Sequence, residues 1–435
     1  MKKILFYLIF AVTGLSLQSC LHDNDEVFAN SAAERINEAV ANAKKVLTSS
    51  QEGWVLHYYA GRNYAFGGLN LAMKFGEGKV QMYNQTATYD GTYLSEVSTY
   101  KITRDQGPVL AFDTFNDLLH VYGDPAGTGS PTDVDGWEAD YEFVIMNISD
   151  DENTITLKGK KFDNIMILER LTRPVEEYFD AAEKMSACLK DAGVLTFTTG
   201  EKKIKFCPTA VGYTVKYVDD NGEEIAVDAP STSTDKGIIF NKPIELFNEH
   251  IAGINVTDTV TVENILTAKS MTISNDESKA ITRSKDLNDL FQTGNWYITQ
   301  SNMGEYGGPG FKSFVDKCKE SAKEVVSYCY IGTYNNNYGF YFLSDMQWSG
   351  VAIFSVEAPM STPDMIKFEL SDYSGFGYFY SVLYNFDDAL EPFLSTFKLS
   401  VDNVDKPTVW TLTDQNNAKN VIKLVKEPVL NPGQH

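Results

Sequence analysis

The sequence predicts a mainly β chain: tandem antiparallel domains built as sandwiches or barrel-like units, with a few short helices. Two observations carry that prediction. From Gly53 onward, apolar residues recur at every second position in runs of strand length, and Gly, Asp and Asn turns separate the runs. The chain is also long enough for several cores, and its 43% hydrophobic and 13% aromatic content excludes a disordered polymer.

A leader precedes the folded part. Lys2 and Lys3 open it, and Ile4 to Val12 form an apolar run too short to cross a bilayer, which takes about 20 such residues. Residues 1–19 therefore read as a secretory signal peptide. Leu17-Gln18-Ser19-Cys20 resembles the bacterial lipobox, with Leu17 and Ser19 at its two specifying positions. The resemblance implies that the Cys20 thiol is acylated, that cleavage leaves Cys20 as the N-terminus, and that outer-membrane lipid is a partner. Residues 20–30 form an acidic tether in which Asp23, Asp25 and Glu26 resemble the surface-export signal of Bacteroidetes lipoproteins. A solvated spacer is the alternative reading of that run. The expected location is the outer membrane, lipid-anchored and facing the cell exterior.

Losing 19 of 435 residues leaves 416, and losing Lys2 and Lys3 with them takes the formal charge from −22 to −24. Such a balance repels phosphate backbones and excludes nucleic acid as a partner. Four cysteines remain, Cys188, Cys207, Cys318 and Cys329. They pair by sequence neighbourhood or stay as buried thiols, and the sequence leaves both options open.

Residues 31–172 begin with a helix. Ser31 and Glu34 have capping-box spacing, and Ile36, Val40, Ala43 and Leu47 form one stripe. The runs "GWVLHYY", "GLNLAMKFGEGKVQMYN", "STYKITRDQGPVLAFDT", "DYEFVIMNISDDENTITLKGK" and "NIMILERL" then predict a meander of strands. A second domain over 173–275 opens with a helix whose stripe is Val175, Tyr178, Ala182, Met185 and Leu189, with Gly193 as its stop. Its hairpin "GYTVKYVDDNGEEIAV" turns at Asn221-Gly222, and "TDTVTVENILTAKSMTI" adds β-rich sequence. The polar stretch over 276–289 reads as a linker.

Residues 290–435 look like the first domain. "GNWYITQ" stands near their start, and "VWTLTDQNNAKNVIKLVK" at their end parallels "TITLKGKKFDNIMILERL", which suggests a repeated β unit. A helix is inserted, with Phe311, Phe314, Val315, Cys318, Ala322 and Val325 on its apolar face. Gly294-Asn295-Trp296 resembles the first strand of lipocalin-like barrels, whose mouths hold small apolar ligands. Trp54 and Trp296 are expected to plug the closed ends of their cores.

One longer stretch is more specific. "GPVLAFDTFNDLLHVYGDP" followed by "ADYEFVIMNISDDENTITLKGKKFDNIMIL" resembles a domain-of-unknown-function family of Bacteroidetes lipoproteins that accompany outer-membrane nutrient importers. The resemblance covers about residues 30–270 and implies location rather than chemistry, since the family supplies no catalytic residues.

Motifs of catalysis are missing from the sequence. It has no His-Glu-x-x-His, no Gly-x-Ser-x-Gly, no phosphate loop and no Cys-x-x-Cys, and no cofactor is expected. His57 and His120 read as sheet residues. In "SPTDVDGWEADYE", Asp133, Asp135 and Glu142 match three positions of a calcium loop, but Pro131 occupies its first. In "IGTYNNNYGFYFLSDMQWSG", Tyr334, Tyr338, Tyr341 and Trp348 offer aromatic faces of the kind that stack on sugars. The expected function is a lipid-anchored, cell-surface, non-catalytic protein that captures a nutrient, glycan or peptide, beside an outer-membrane importer. A structural accessory subunit of that importer is the alternative, and a secreted hydrolase using paired carboxylates is the third.

Overall fold

The computed structural model describes residues 31–105, 107–127, 136–262, 264–335 and 337–434. Within them the strands form three closed antiparallel barrels of eight strands each, every strand pairing with its sequence neighbours. The first runs from Trp54–Tyr59 to Ile165–Arg170, the second from Leu195–Thr199 to Asp276–Arg283, and the third from Trp296–Tyr297 to Val421–Val425. Pairing of first to last strand closes each one: Trp54 with Arg170, Leu195 with Arg283, and Tyr297 with Val425. Closure removes the sheet edges that a sandwich would leave open.

A helix precedes each barrel. The first, Ala32–Thr48, starts at the expected capping box, in which Glu34 N–H donates to Ser31 Oγ and Ser31 N–H donates to Glu34 Oε2. Its Ala43, Val46 and Leu47 enter the first core. Trp54 then donates its indole N–H to the Leu47 carbonyl at 2.9 Å, and the Arg170 guanidinium lies 4.4 Å from the Trp54 ring. The third barrel repeats the device. Trp296 donates to the Phe291 carbonyl at 2.7 Å, at the end of the helix Leu287–Gln292. Gly294 is required there, because a Cβ would sit 2.6 Å from the Trp296 ring. Both tryptophans are buried plugs, as expected, and each satisfies a helix-end carbonyl that has no partner within its own helix.

The closing hairpins also match. Asn164 and Asn420, each buried just before the last strand, donate to carbonyls of a neighbouring segment: Asn164 to Tyr59 and Gly61, Asn420 to Pro392. The repeat read from the two sequence ends is thus a repeat of structure.

The helix Val175–Ala192 joins the first two barrels. Val175, Tyr178, Phe179 and Ala182 pack on Val55 and Ala72 outside the first barrel, while Cys188, Leu189 and Ala192 belong to the second core. Strand Trp54–Tyr59 is consequently buried on both faces. The inserted helix Gly304–Lys317 buries Phe311 and Phe314 in the third core, and Cys318 follows them, whereas Val325 is exposed.

Two expectations are corrected. His120 ends the short helix Asp117–His120 and is not a sheet residue. Residues 276–289 are not a linker, because Asp276–Arg283 is the strand that closes the second barrel. All four described cysteines are free thiols, so neither sequence-neighbour pairing forms.

Candidate functional site

The three barrels meet around a cavity of about 1030 Å³. Its walls follow from how each pair of barrels is joined.

Between the first and second barrels the chain uses glycine. A Cβ on Gly68 would lie 2.6 Å from the Tyr59 ring and 2.9 Å from the Ser231 carbonyl, so only a bare backbone permits this approach. Behind that contact stands a polar network. Asn70 Nδ2 donates to the Ser233 carbonyl at 2.8 Å, and Asn70 Oδ1 accepts from Thr232 at 3.2 Å. His57 places Nδ1 2.9 Å from Asn70 Oδ1 and Nε2 3.4 Å from Glu169. The hydrogen bond with His57 holds the Glu169 carboxyl below its ordinary range, against the opposing effect of burial.

Between the second and third barrels the chain uses charge. Lys205, 1% exposed, lies 2.7 Å from Asp286 and 2.6 Å from Asp289. Burial works against its charge, but the two carboxylates outweigh it and raise the ammonium above its usual value. Ser284 completes the cluster by donating to Asp289 at 2.5 Å.

The cavity these joints enclose is rich in hydroxyls, with Thr209, Ser231, Thr232, Ser233, Thr293 and Thr333 among its lining residues. Lys190, Lys216, Asp191 and Asp289 contribute both signs of charge. Tyr338 lines the cavity, and its hydroxyl is buried and finds no hydrogen-bond partner on the protein. Burial pushes its phenol well up, so it stays a neutral donor and acceptor. Cys207, also on the wall, is pushed up to about 11 chiefly by burial and is a thiol rather than a thiolate at neutral pH.

The aromatic set read from the sequence is not one site. Tyr338 and Tyr341 lie three apart on strand Asn337–Ser344 and so point to opposite faces. Tyr338 packs toward the third core. Tyr341 faces outward, in an aromatic ribbon with Tyr334 at 4.7 Å and Tyr330 at 4.6 Å between ring centroids. Tyr297 extends the ribbon, 5.5 Å from Tyr330. Trp348 stands elsewhere, 41% exposed, with its ring edge-on to Phe376 at 5.1 Å. The alternation of the strand already separated Tyr338 from Tyr341; Tyr297 was missed because it comes from another strand, and Tyr330 because it sits on strand Val326–Tyr334 just before the aromatic stretch.

Of the calcium-loop residues, Glu142 begins strand Glu142–Ile148 and pairs with Lys160 at 3.1 Å, while Asp133 and Asp135 lie outside the described residues. Among the described residues no group of three or more His, Cys, Asp or Glu is placed to hold a metal, and no helix is long and apolar enough to cross a membrane. Leu17, Ser19, Cys20, Asp23, Asp25 and Glu26 also lie outside them.

A family model described as a domain of unknown function, DUF4302, matches residues 24–258. No curated protein matches. Solved structures that align over most of the chain include DNA polymerase sliding clamps. The DNA polymerase III beta chain of Streptococcus pneumoniae is 10% identical, covering 90% of this chain and 98% of that one at a TM-score of 0.12. The beta subunit of Streptococcus pyogenes is also 10% identical, covering 90% and 96% at 0.12, and the sliding clamp of Bacillus subtilis is 9% identical, covering 91% and 97% at 0.11. Superposition this poor carries no argument about fold or activity.

Proposed function

Because this chain belongs to the DUF4302 family, a domain of unknown function that prescribes no chemistry, we propose from its geometry that it is a non-catalytic capture protein whose ligand sits in the three-barrel cavity. The ligand class that fits is a neutral, hydroxyl-rich molecule such as a short glycan. The observation that carries the reading is the Tyr338 hydroxyl. A buried hydroxyl without a partner costs about 1–3 kcal/mol, and a ligand hydroxyl would relieve that cost. The surrounding Ser and Thr side chains suit the same chemistry, and junctions between domains are where small-molecule sites concentrate. The leader supports a setting for this activity: acylated Cys20 holds the protein on the outer membrane, facing outward, beside a nutrient importer that receives the ligand.

Calorimetric titration of the wild type and Tyr338→Phe with a panel of host and plant oligosaccharides tests the reading. Tyr338→Phe should weaken binding about tenfold, or about 1.4 kcal/mol, with no loss of stability. Equal affinity in both proteins would remove Tyr338 from the site. Binding of peptides in place of every glycan would overturn the ligand class, and a wild type that binds nothing in either panel would overturn the capture reading.

A further inference from the structure

We propose that one end of the third barrel is a docking knob for a protein partner whose surface carries an apolar stripe flanked by Lys and Arg. The knob is built from the helix Gly377–Tyr384 and the hairpin turn before Trp348.

A surface helix ordinarily turns polar residues outward. This one does the reverse. Only Gly377 and Tyr380 are buried, with the Tyr380 hydroxyl bonded to Glu324, while Tyr378 is 68% and Val382 61% exposed and Phe379 and Leu383 are nearly half exposed. Ring contacts join the helix to the hairpin: Phe379 to Phe376 at 6.4 Å, and Phe376 to Trp348 at 5.1 Å. The hairpin adds Met346, 63% exposed at the turn. Asp345 and Met346 both hold the left-handed conformation, with φ of 46° and 56°. The turn spans residues 345–347 between Ser344 and Trp348, and its left-handed positions favour Asn or Gly, so methionine at one of them is a poor choice for folding and a good one for presenting an apolar side chain. A contiguous exposed apolar face of this kind marks an interaction surface.

Charge selects the occupant. Four carboxylates stand around the knob, those of Asp345, Asp372, Asp387 and Asp388, whereas Glu357, Asp364, Lys367 and Glu369 lie toward the far ends of strands Trp348–Glu357 and Met365–Gly375. Asp345, Asp372, Asp387 and Asp388 are all exposed. A second copy docked by the same face would set these carboxylates against themselves, since a two-fold interface opposes one patch to its own duplicate. Anionic lipid headgroups would be repelled in the same way. A cationic rim around an apolar stripe satisfies both features of the knob.

The probes are a labelled amphipathic helical peptide of Leu and Lys, its Leu and Glu counterpart, and phosphatidylcholine vesicles, each added to the full chain. The Leu/Lys peptide should bind at least about tenfold more tightly than the Leu/Glu peptide and weaken as salt screens the rim. Phe379→Ser with Val382→Ser should abolish that preference while leaving thermal unfolding and glycan titration unchanged. Met346→Gly should weaken peptide binding and raise the unfolding midpoint, because glycine fits the left-handed turn. Equal binding of both peptides would overturn the proposal. So would self-association that the double substitution removes, which would assign the knob to a second copy, or vesicle binding that it removes, which would assign the knob to a bilayer.

Discussion

Lys205 Nζ lies 2.6 Å from the Asp289 carboxylate, and this buried contact ties the second barrel to the helix that leads into the third. Asp289 also lines the central cavity, so the joint and the candidate site share a wall.

Removing the lysine should therefore loosen this joint in a measurable way. Lys205→Met leaves the buried Asp289 without a cation and Asp286 with Lys203 alone, and should cost about 3–5 kcal/mol. Urea unfolding followed by tryptophan fluorescence reads the loss, because the five tryptophans lie at 54, 137, 296, 348 and 410 and none falls in the second barrel. The signal from the third barrel should move to lower urea. An unchanged curve would mean that the ion pair does not couple the barrels.

Gly68→Val tests the other joint. The new side chain would meet the Tyr59 ring and the Ser231 carbonyl, and overpacking of this kind costs about 1–3 kcal/mol. Because Gly68 and Ser231 both line the cavity, ligand affinity should fall together with stability. A valine tolerated with full affinity would show that the first barrel can shift without disturbing the site.

Acid should weaken this same joint through Glu169. Its carboxyl titrates below the ordinary range when folded, so its contribution is fully present above the unfolded value of about 4.3 and disappears as pH falls through the lower folded value. The difference in thermal midpoint between wild type and Glu169→Gln should be constant near neutrality and vanish in that acidic window. A difference that persists below it would place the effect of the substitution in packing rather than in the pairing with His57.

Much of this architecture was legible because it is local. The Ser31 and Glu34 spacing fixed the start of the first helix, and period-two runs marked the strands of the first barrel. Strand Asp276–Arg283 escaped because Ile281 alone among its residues is buried, which leaves no alternation to read. The cavity escaped for a different reason. Gly68, Ser233 and Tyr338 come from three barrels, and nothing in the sequence near any one of them signals the other two. Barrel closure was likewise out of reach, since the pairing of Trp54 with Arg170 spans the whole first domain.

The anchor is the remaining element that sequence alone proposes. Leu17-Gln18-Ser19-Cys20 would place a nucleophilic thiol directly after the proposed leader, and several acyl chains hold a protein on a membrane where one chain binds only marginally. Cys20→Ser removes the sulfur that would carry two of those chains and blocks the cleavage that frees the amine for a third. The variant should accumulate unprocessed or soluble, without incorporating labelled fatty acid, while the wild type fractionates with outer membrane. Replacing Asp23, Asp25 and Glu26 with Ala should leave acylation intact and turn a protein that protease reaches on intact cells into a protected one. Labelled fatty acid on the Cys20→Ser variant would overturn the anchor, and unchanged protease access after the alanine replacements would reduce the acidic run to a spacer.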